Sequence, residues 1–181
     1  MGLLARWLSD ALRLGLALAL AIAAMQIPAI AHQYAAALIQ ITEDARRDIE
    51  QRKDAARHFY PAAGDTDEAV IATLRPVEPS NAQALEASVE RARVLRATYD
   101  RIEAASPLLR PLVAVYDDFE KPMSDKTAVL WTTLETYAPQ LVISTASATY
   151  GLIGLLLGAL LAEVLISAIR GLRRRKGPVA G

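Results

Sequence analysis

Leu141–Ile169 reads LVISTASATYGLIGLLLGALLAEVLISAI, and the fold turns on it. One acid, Glu163, and no Lys or Arg interrupts these 29 residues. A helix needs about 20 mostly apolar residues to cross a bilayer core. At 1.5 Å per residue this stretch makes a helix of about 43 Å. A hydrocarbon core is about 30 Å thick, so the helix must tilt or protrude. Gly154-Leu-Leu-Leu-Gly158, extended back to Gly151, is a GxxxG ridge. Such ridges let helix backbones approach where packing, not hydrophobicity, drives association. Directly after the stretch come Arg170, Arg173, Arg174, Arg175 and Lys176. This cluster sets topology and attracts anionic lipid headgroups.

A second apolar run lies at the other end of the chain. Leu14–Ala31, LGLALALAIAAMQIPAIA, is charge-free and just long enough to span. Leu3, Leu4, Trp7, Leu8 and Leu12 supply an amphipathic lead-in. Gly15, Ala19 and Ala23 form a small face predicted to meet the Gly151/Gly154/Gly158 ridge. Homodimerisation through the same ridge is the alternative. Residues 1–31 also read as a secretory signal, with Ala29-Ile30-Ala31 as the cleavage site. Asp10 and the long basic start favour retention as a membrane helix.

The charges give an orientation. Arg6 and Arg13 precede the first run, and five basic residues follow the second. The segment between, residues 32–140, holds 13 Lys and Arg against 18 Asp and Glu. Basic flanks stay in the cytoplasm, and long loops count little. The expected plan is a 1–13 cytoplasmic or interfacial start, spans at 14–31 and 141–169, a 32–140 periplasmic region and a 170–181 cytoplasmic tail. That places the chain N-in and C-in in a bacterial inner membrane.

The middle shows helical period and no strand-like alternation. Leu38, Ile41, Ala45, Ile49, Ala56 and Phe59 share a face, with Pro28 a potential kink and Pro61 and Gly64 a stop. Asp65–Glu68 resembles an N-cap with acids in the first turn. Ser80-Asn-Ala-Gln83 reads as a capping box. Leu85, Val89, Ala92, Leu95, Tyr99 and Ile102 make an amphipathic stripe. Ser106-Pro107 opens a helix whose apolar side is Leu108, Leu112, Tyr116 and Phe119, and Ser124-Asp125 opens another. These stripes are expected to bury against one another. The predicted fold is an all-α membrane protein, with two transmembrane helices flanking an extracytoplasmic antiparallel helical hairpin or bundle.

Chemistry is scarce. The whole chain carries 20 basic and 20 acidic residues and no cysteine. That excludes disulfides, zinc-thiolate and iron–sulfur centres, and gives no drive toward nucleic acid. His32 and His58 lack metal-site spacing. Asp117-Asp118-Phe-Glu120, with Asp125 nearby, is an acidic cluster without the EF-hand order and reads as a solvated face. No nucleophile elbow, P-loop or dinucleotide fingerprint occurs. No catalytic, cofactor or metal residue is expected. Glu163 is a functional candidate because it lies in an apolar helix. Its blander reading is an interfacial carboxylate paired with Arg6, Arg13 or Arg170.

Three short patterns carry a resemblance: Pro28-Ala-Ile-Ala-His-Gln33-Tyr34, Ser106-Pro107-Leu-Leu-Arg110-Pro111, and Tyr137-Ala-Pro139 followed by Tyr150-Gly151-Leu-Ile-Gly154 and Gly158. The chain resembles the domain-of-unknown-function 2937 family of bacterial inner-membrane proteins. The resemblance implies two membrane helices and a helical extracytoplasmic region, and no activity. The expected role is non-enzymatic: an accessory subunit or scaffold of an envelope complex, bound to lipid and to a protein partner or a second copy. The alternative is an oligomeric ion or proton transport or sensing component using Glu163 and the glycine ridge.

Overall fold

The structure is a computed structural model. It describes residues 3–61, 63–120, 124–139 and 143–175, and side chains over 6–61, 63–117, 125–139 and 143–169. Among the described residues there are seven α-helices and no strand. They are α1 (Leu3–Met25), α2 (Ile27–Phe59), α3 (Asp67–Leu74), α4 (Pro79–Ala104), α5 (Arg110–Glu120), α6 (Ser124–Thr136) and α7 (Thr145–Arg175). They fall into two compact units, Met1–Ile30 with Ala138–Gly181, and Ala31–Tyr137.

The first unit pairs α1 with α7. Among the described residues, two helical stretches are long and apolar enough to cross a membrane: Arg6–Phe59, which takes in most of α1 and all of α2, and Thr145–Ile169. Leu14, Leu18 and Ile22 on α1, and Leu152, Leu156 and Leu160 on α7, point outward. An exposed apolar surface of that extent suits lipid rather than water. The break between α1 and α2 sits at Gln26, whose N–H reaches Ala23 O at 3.1 Å. Pro28 has no N–H to give the preceding turn, which accounts for the tightened geometry. The helix resumes with Ile30 N–H on Gln26 O at 3.0 Å.

At the other end, α7 starts at Thr145 rather than at 141. Ser144 is the reason: its Oγ accepts the Ser147 N–H at 3.1 Å, as an N-cap does. Residues 141–142 of the expected span lie outside the described residues. From Thr145 to Ile169 the helix is about 37 Å long at 1.5 Å per residue.

The second unit has two apolar clusters. One joins Ile49 and Ala56 of α2, Val70, Ile71 and Leu74 of α3, and Ala82, Leu85 and Ala92 of α4. The other joins Tyr34, Ala35 and Leu38 of α2, Leu95 and Ile102 of α4, and Ala114 of α5, with Val129 and Leu130 of α6 against it. The α4 stripe read from the sequence thus serves both clusters. Thr66 caps α3 by accepting the Ala69 N–H at 3.2 Å, with Asp67 and Glu68 in the first turn. The Ser80 capping box does not form. Glu78 is the cap residue, without a side-chain bond to the backbone, and Pro79 opens the helix. Proline suits that first position because its missing N–H has no partner there anyway. Glu78 instead accepts from Tyr60 Oη at 2.6 Å and from Asn81 Nδ2 at 2.9 Å.

The fifth helix reverses an expectation. Ser106 and Pro107 open a turn, and the helix proper begins only at Arg110. Its apolar side faces out: Leu112 is 61% and Tyr116 66% exposed, with Leu109 and Val115 beside them. Ala114 and Asp117 face in. Phe119 belongs to the same expected side, and its side chain lies outside the described set.

Candidate functional site

The α1–α7 contact brings helix backbones close together. A Cβ on Gly154 would collide with the Leu20 carbonyl oxygen and stand 2.7 Å from Ala24 Cβ. A Cβ on Gly158 would come within 2.6 Å of Ala17 Cα and 2.7 Å of Leu16 O. At Gly151 the obstacle is the flexible Met25 side chain, 2.7 Å away at Cγ. Rising numbers on α7 thus meet falling numbers on α1, so the two helices run in opposite directions. The α1 side of the seam is Ala17, Ala21 and Ala24, flanked by Leu16 and Leu20. It is not Gly15, Ala19 and Ala23, which lie on the exposed side. Nothing approaches within 4 Å of a Cβ placed on Gly15. Ala17 and Ala21 share the i, i+4 spacing of Gly15 and Ala19 and differ from them by a two-residue offset, which is more than half a turn of helix.

Glu163 sits at one end of this seam. Arg13 Nε lies 2.8 Å from Glu163 Oε1, and Arg13 Nη2 donates to Glu163 Oε2 at 3.2 Å. Arg13 also holds Asp10 at 3.1 Å. Of the three arginines considered for Glu163, the structure supplies Arg13. Forked pairing of this kind fixes geometry as well as charge. Both side chains are partly exposed, so the pair adds modestly to stability. Arg170, Arg173, Arg174 and Arg175 lie in the last turns of α7, with side chains outside the described set. Lys176 lies outside the described residues altogether.

A second polar centre, hidden from a reading of the sequence, lies among α4, α5 and α6. Asp117 is 5% and Lys126 0% exposed. Lys126 Nζ donates to Asp117 Oδ2 at 2.8 Å and to Asp117 O at 3.0 Å. Thr98 Oγ1 donates to Asp117 Oδ2 at 3.0 Å, and the Arg101 guanidinium pairs with Oδ1. Arg91 on α4 meets Asp125 on α6 at 2.9 Å. Burial alone would raise the Asp117 pKa. The Lys126 and Thr98 hydrogen bonds and the two cations outweigh it and hold the carboxyl below its ordinary value. Asp117 is therefore not part of a solvated acidic face. The side chains of Asp118 and Glu120 lie outside the described set.

Other charged groups are paired as well. Lys53, also buried, bonds Glu50 at 2.9 Å and Asp67 at 2.7 Å. Burial pulls its pKa down, but the two carboxylates more than compensate and leave it raised. A groove of about 340 Å³ along α2 and α4 is lined by Arg46, Arg93 and Arg96 over Ile49 and Val89. Each arginine already has an acid: Glu43 at 3.8 Å, Glu90 at 3.4 Å and Asp100 at 3.1 Å. His32 and His58 are apart and exposed, His58 standing edge-on to Phe59 at 5.3 Å. Among the described residues no group of three or more His, Asp or Glu could hold a metal ion.

A family model described as protein of unknown function (DUF2937) matches residues 8–175. The chain belongs to this family. The DUF2937 match takes in both α1 and α7, so the seam between them lies inside the shared region. No curated protein and no solved structure matches.

Proposed function

We propose that this DUF2937 member is a non-enzymatic, membrane-anchored structural protein of the bacterial inner membrane, acting as an accessory subunit or scaffold of an envelope complex. The observation that carries the reading is the seam at Gly154 and Gly158, where α7 lies on the α1 backbone. A seam of that kind holds two spans together in lipid. It also gives α1 a structural task, which favours its retention over removal as a signal. The basic flanks put both termini in the cytoplasm and residues 32–140 in the periplasm as an antiparallel helical hairpin or bundle. The buried charges of that region are engaged in pairs that join helices, an arrangement suited to a rigid platform rather than to turnover.

Topology is tested in the natural cysteine-free background. Asp65→Cys should react with an impermeant maleimide added outside, and Val179→Cys only after permeabilisation. The reverse pattern overturns the orientation. Purification of the full chain in mild detergent should bring a stoichiometric envelope protein with it. A monomer with nothing bound overturns the accessory-subunit role.

A further inference from the structure

Two helix faces meet across the groove on α2 and α4. On α4, Val89, Ala92, Arg93 and Arg96 fall at i, i+3, i+4 and i+7, which is one face of a helix. On α2, Arg46, Ile49 and Glu50 fall at i, i+3 and i+4 and line the same space. The floor is apolar: Ile49 and Ala92 belong to a core cluster, and Val89 packs against it. The three arginines are partly exposed and line the rim. At about 340 Å³ the groove lies near the small end of ligand pockets, which run from roughly 300 to 1,000 Å³.

The acids and the arginines of this wall are not equally committed. Both lining acids, Glu50 and Asp67, are tied to the buried Lys53 ammonium at 2.9 and 2.7 Å. The arginines are held more loosely. Arg46 Nη1 and Arg96 Nη1, from different helices, converge on one oxygen, Glu43 Oε1, at 3.8 and 3.6 Å. Both separations exceed hydrogen-bond length. Arg93 Nη2 lies 3.6 Å from Glu68, and its Nη1 meets Glu90 at 3.4 Å. Exposed pairs of this kind contribute little, so an incoming anion displaces them at small cost. A guanidinium offers five N–H donors in a planar fork. Two such forks converging on a single oxygen beside an apolar floor form a receptor for an oxyanion, and Glu43 Oε1 marks their meeting point.

We propose that the α2–α4 groove is a binding site for a small organic phosphate. Its phosphoryl oxygens lie among Arg46, Arg93 and Arg96, and its organic group lies on Ile49, Val89 and Ala92. Bidentate arginine pairing matches phosphate geometry. The volume admits a ring or short chain and not a whole lipid. A free phosphate ester and a lipid headgroup share this chemistry. The site goes beyond the structural role above and is independent of membrane orientation, because every residue in it belongs to the Ala31–Tyr137 unit.

The full chain, in a neutral maltoside detergent at low salt, is titrated calorimetrically with phenyl phosphate, inorganic phosphate, benzyl alcohol and dihexanoyl phosphatidic acid. Phenyl phosphate should saturate a single site, severalfold tighter than either inorganic phosphate or benzyl alcohol. Arg46→Gln and Arg96→Gln should each weaken it about tenfold. Glu43→Gln frees both guanidiniums and should tighten it severalfold, a gain that unfolding does not imitate. Arg75→Gln breaks an exposed pair with Glu86 that does not line the groove and should change nothing. Absence of saturable phenyl phosphate binding overturns the proposal. So does benzyl alcohol binding as tightly, an equal loss in Arg75→Gln, or binding retained when Arg46 and Arg96 are both replaced. Tighter binding of dihexanoyl phosphatidic acid than of phenyl phosphate names a lipid headgroup as the source, and weaker binding names a free ester.

Discussion

The α1–α7 pair comes together by removing side chains, whereas the Ala31–Tyr137 unit comes together by filling space with them. In the pair, glycines on α7 lie on alanines and carbonyls of α1, and leucines point away. In the unit, Leu38, Leu74, Leu85, Leu95 and Ile102 are fully enclosed, and buried Lys53, Asp117 and Lys126 are held by counter-charges. The contrast follows from the surroundings. Between helices in lipid there is no hydrophobic gain from burying a leucine, so contact depends on close backbone approach. In water, burial of large apolar side chains supplies the drive, at about 25 cal/mol per Å². One sequence thus uses two assembly rules, and each can be broken separately.

The largest effect is expected in the unit. Asp117→Ala leaves Lys126 buried without its counter-charge and should lower unfolding stability by about 3–5 kcal/mol. The double variant Asp117→Leu with Lys126→Met should recover most of that, since an apolar pair needs no compensation. Denaturant unfolding of the full chain in mild detergent measures both. Equal losses in the single and double variants would contradict the pairing.

The seam comes next. Gly154→Leu and Gly158→Leu force α7 off the α1 backbone and should cost about 1–3 kcal/mol each. Gly15→Leu meets open space and should leave the pair unchanged, as read by thermal unfolding of the same preparations. Gly151→Ala should fall between, because Met25 can move aside. A seam sensitive at Gly15 and indifferent at Gly154 would reverse the assigned face.

Titration sharpens the comparison further. The Asp117 carboxyl is depressed in the folded chain, so its contribution is present above its unfolded pKa and lost as pH falls through the lower folded value. Unfolding at stepwise lower pH should show an acid limb that Asp117→Asn flattens. Lys53 behaves oppositely: its pKa is raised, so its contribution is present below the unfolded value and lost as pH rises through the folded one. A Lys53→Met chain should therefore lose an alkaline limb and keep the acid one.

The smallest effect is expected at the end of the seam. Glu163→Gln removes a partly exposed pair with Arg13 and should change stability by about 1 kcal/mol or less. Circular dichroism melts against the parent chain check it. A loss of ion-linked activity with assembly intact would move Glu163 from architecture to transport.

Much of this was legible in the residues. Charge-free runs reveal the apolar helices because a single Asp or Arg in such a run is expensive in lipid. The Gly151/Gly154/Gly158 ridge is legible for the same reason, since glycine weakens an isolated helix and earns its place through contact. The α1 side was not. In an alanine-rich helix Gly15–Ala19–Ala23 and Ala17–Ala21 show the same period, and only the partner decides between them. Nor was the orientation of α5, because its inward side is decided by partners on other helices, Thr98 and Lys126 on Asp117. The counter-charge that draws Asp117 inward sits on another helix, beyond Pro122.

The closeness at Gly154 has an electrostatic side too. The hydrogen standing where a Cβ would be is aimed at the Leu20 carbonyl. A Cα–H donor facing a carbonyl acceptor makes a weak hydrogen bond of about 0.5–1 kcal/mol. With no solvent competing for that oxygen, the glycine attracts the opposite strand of backbone as well as making room for it. A larger residue there forfeits both the fit and the attraction.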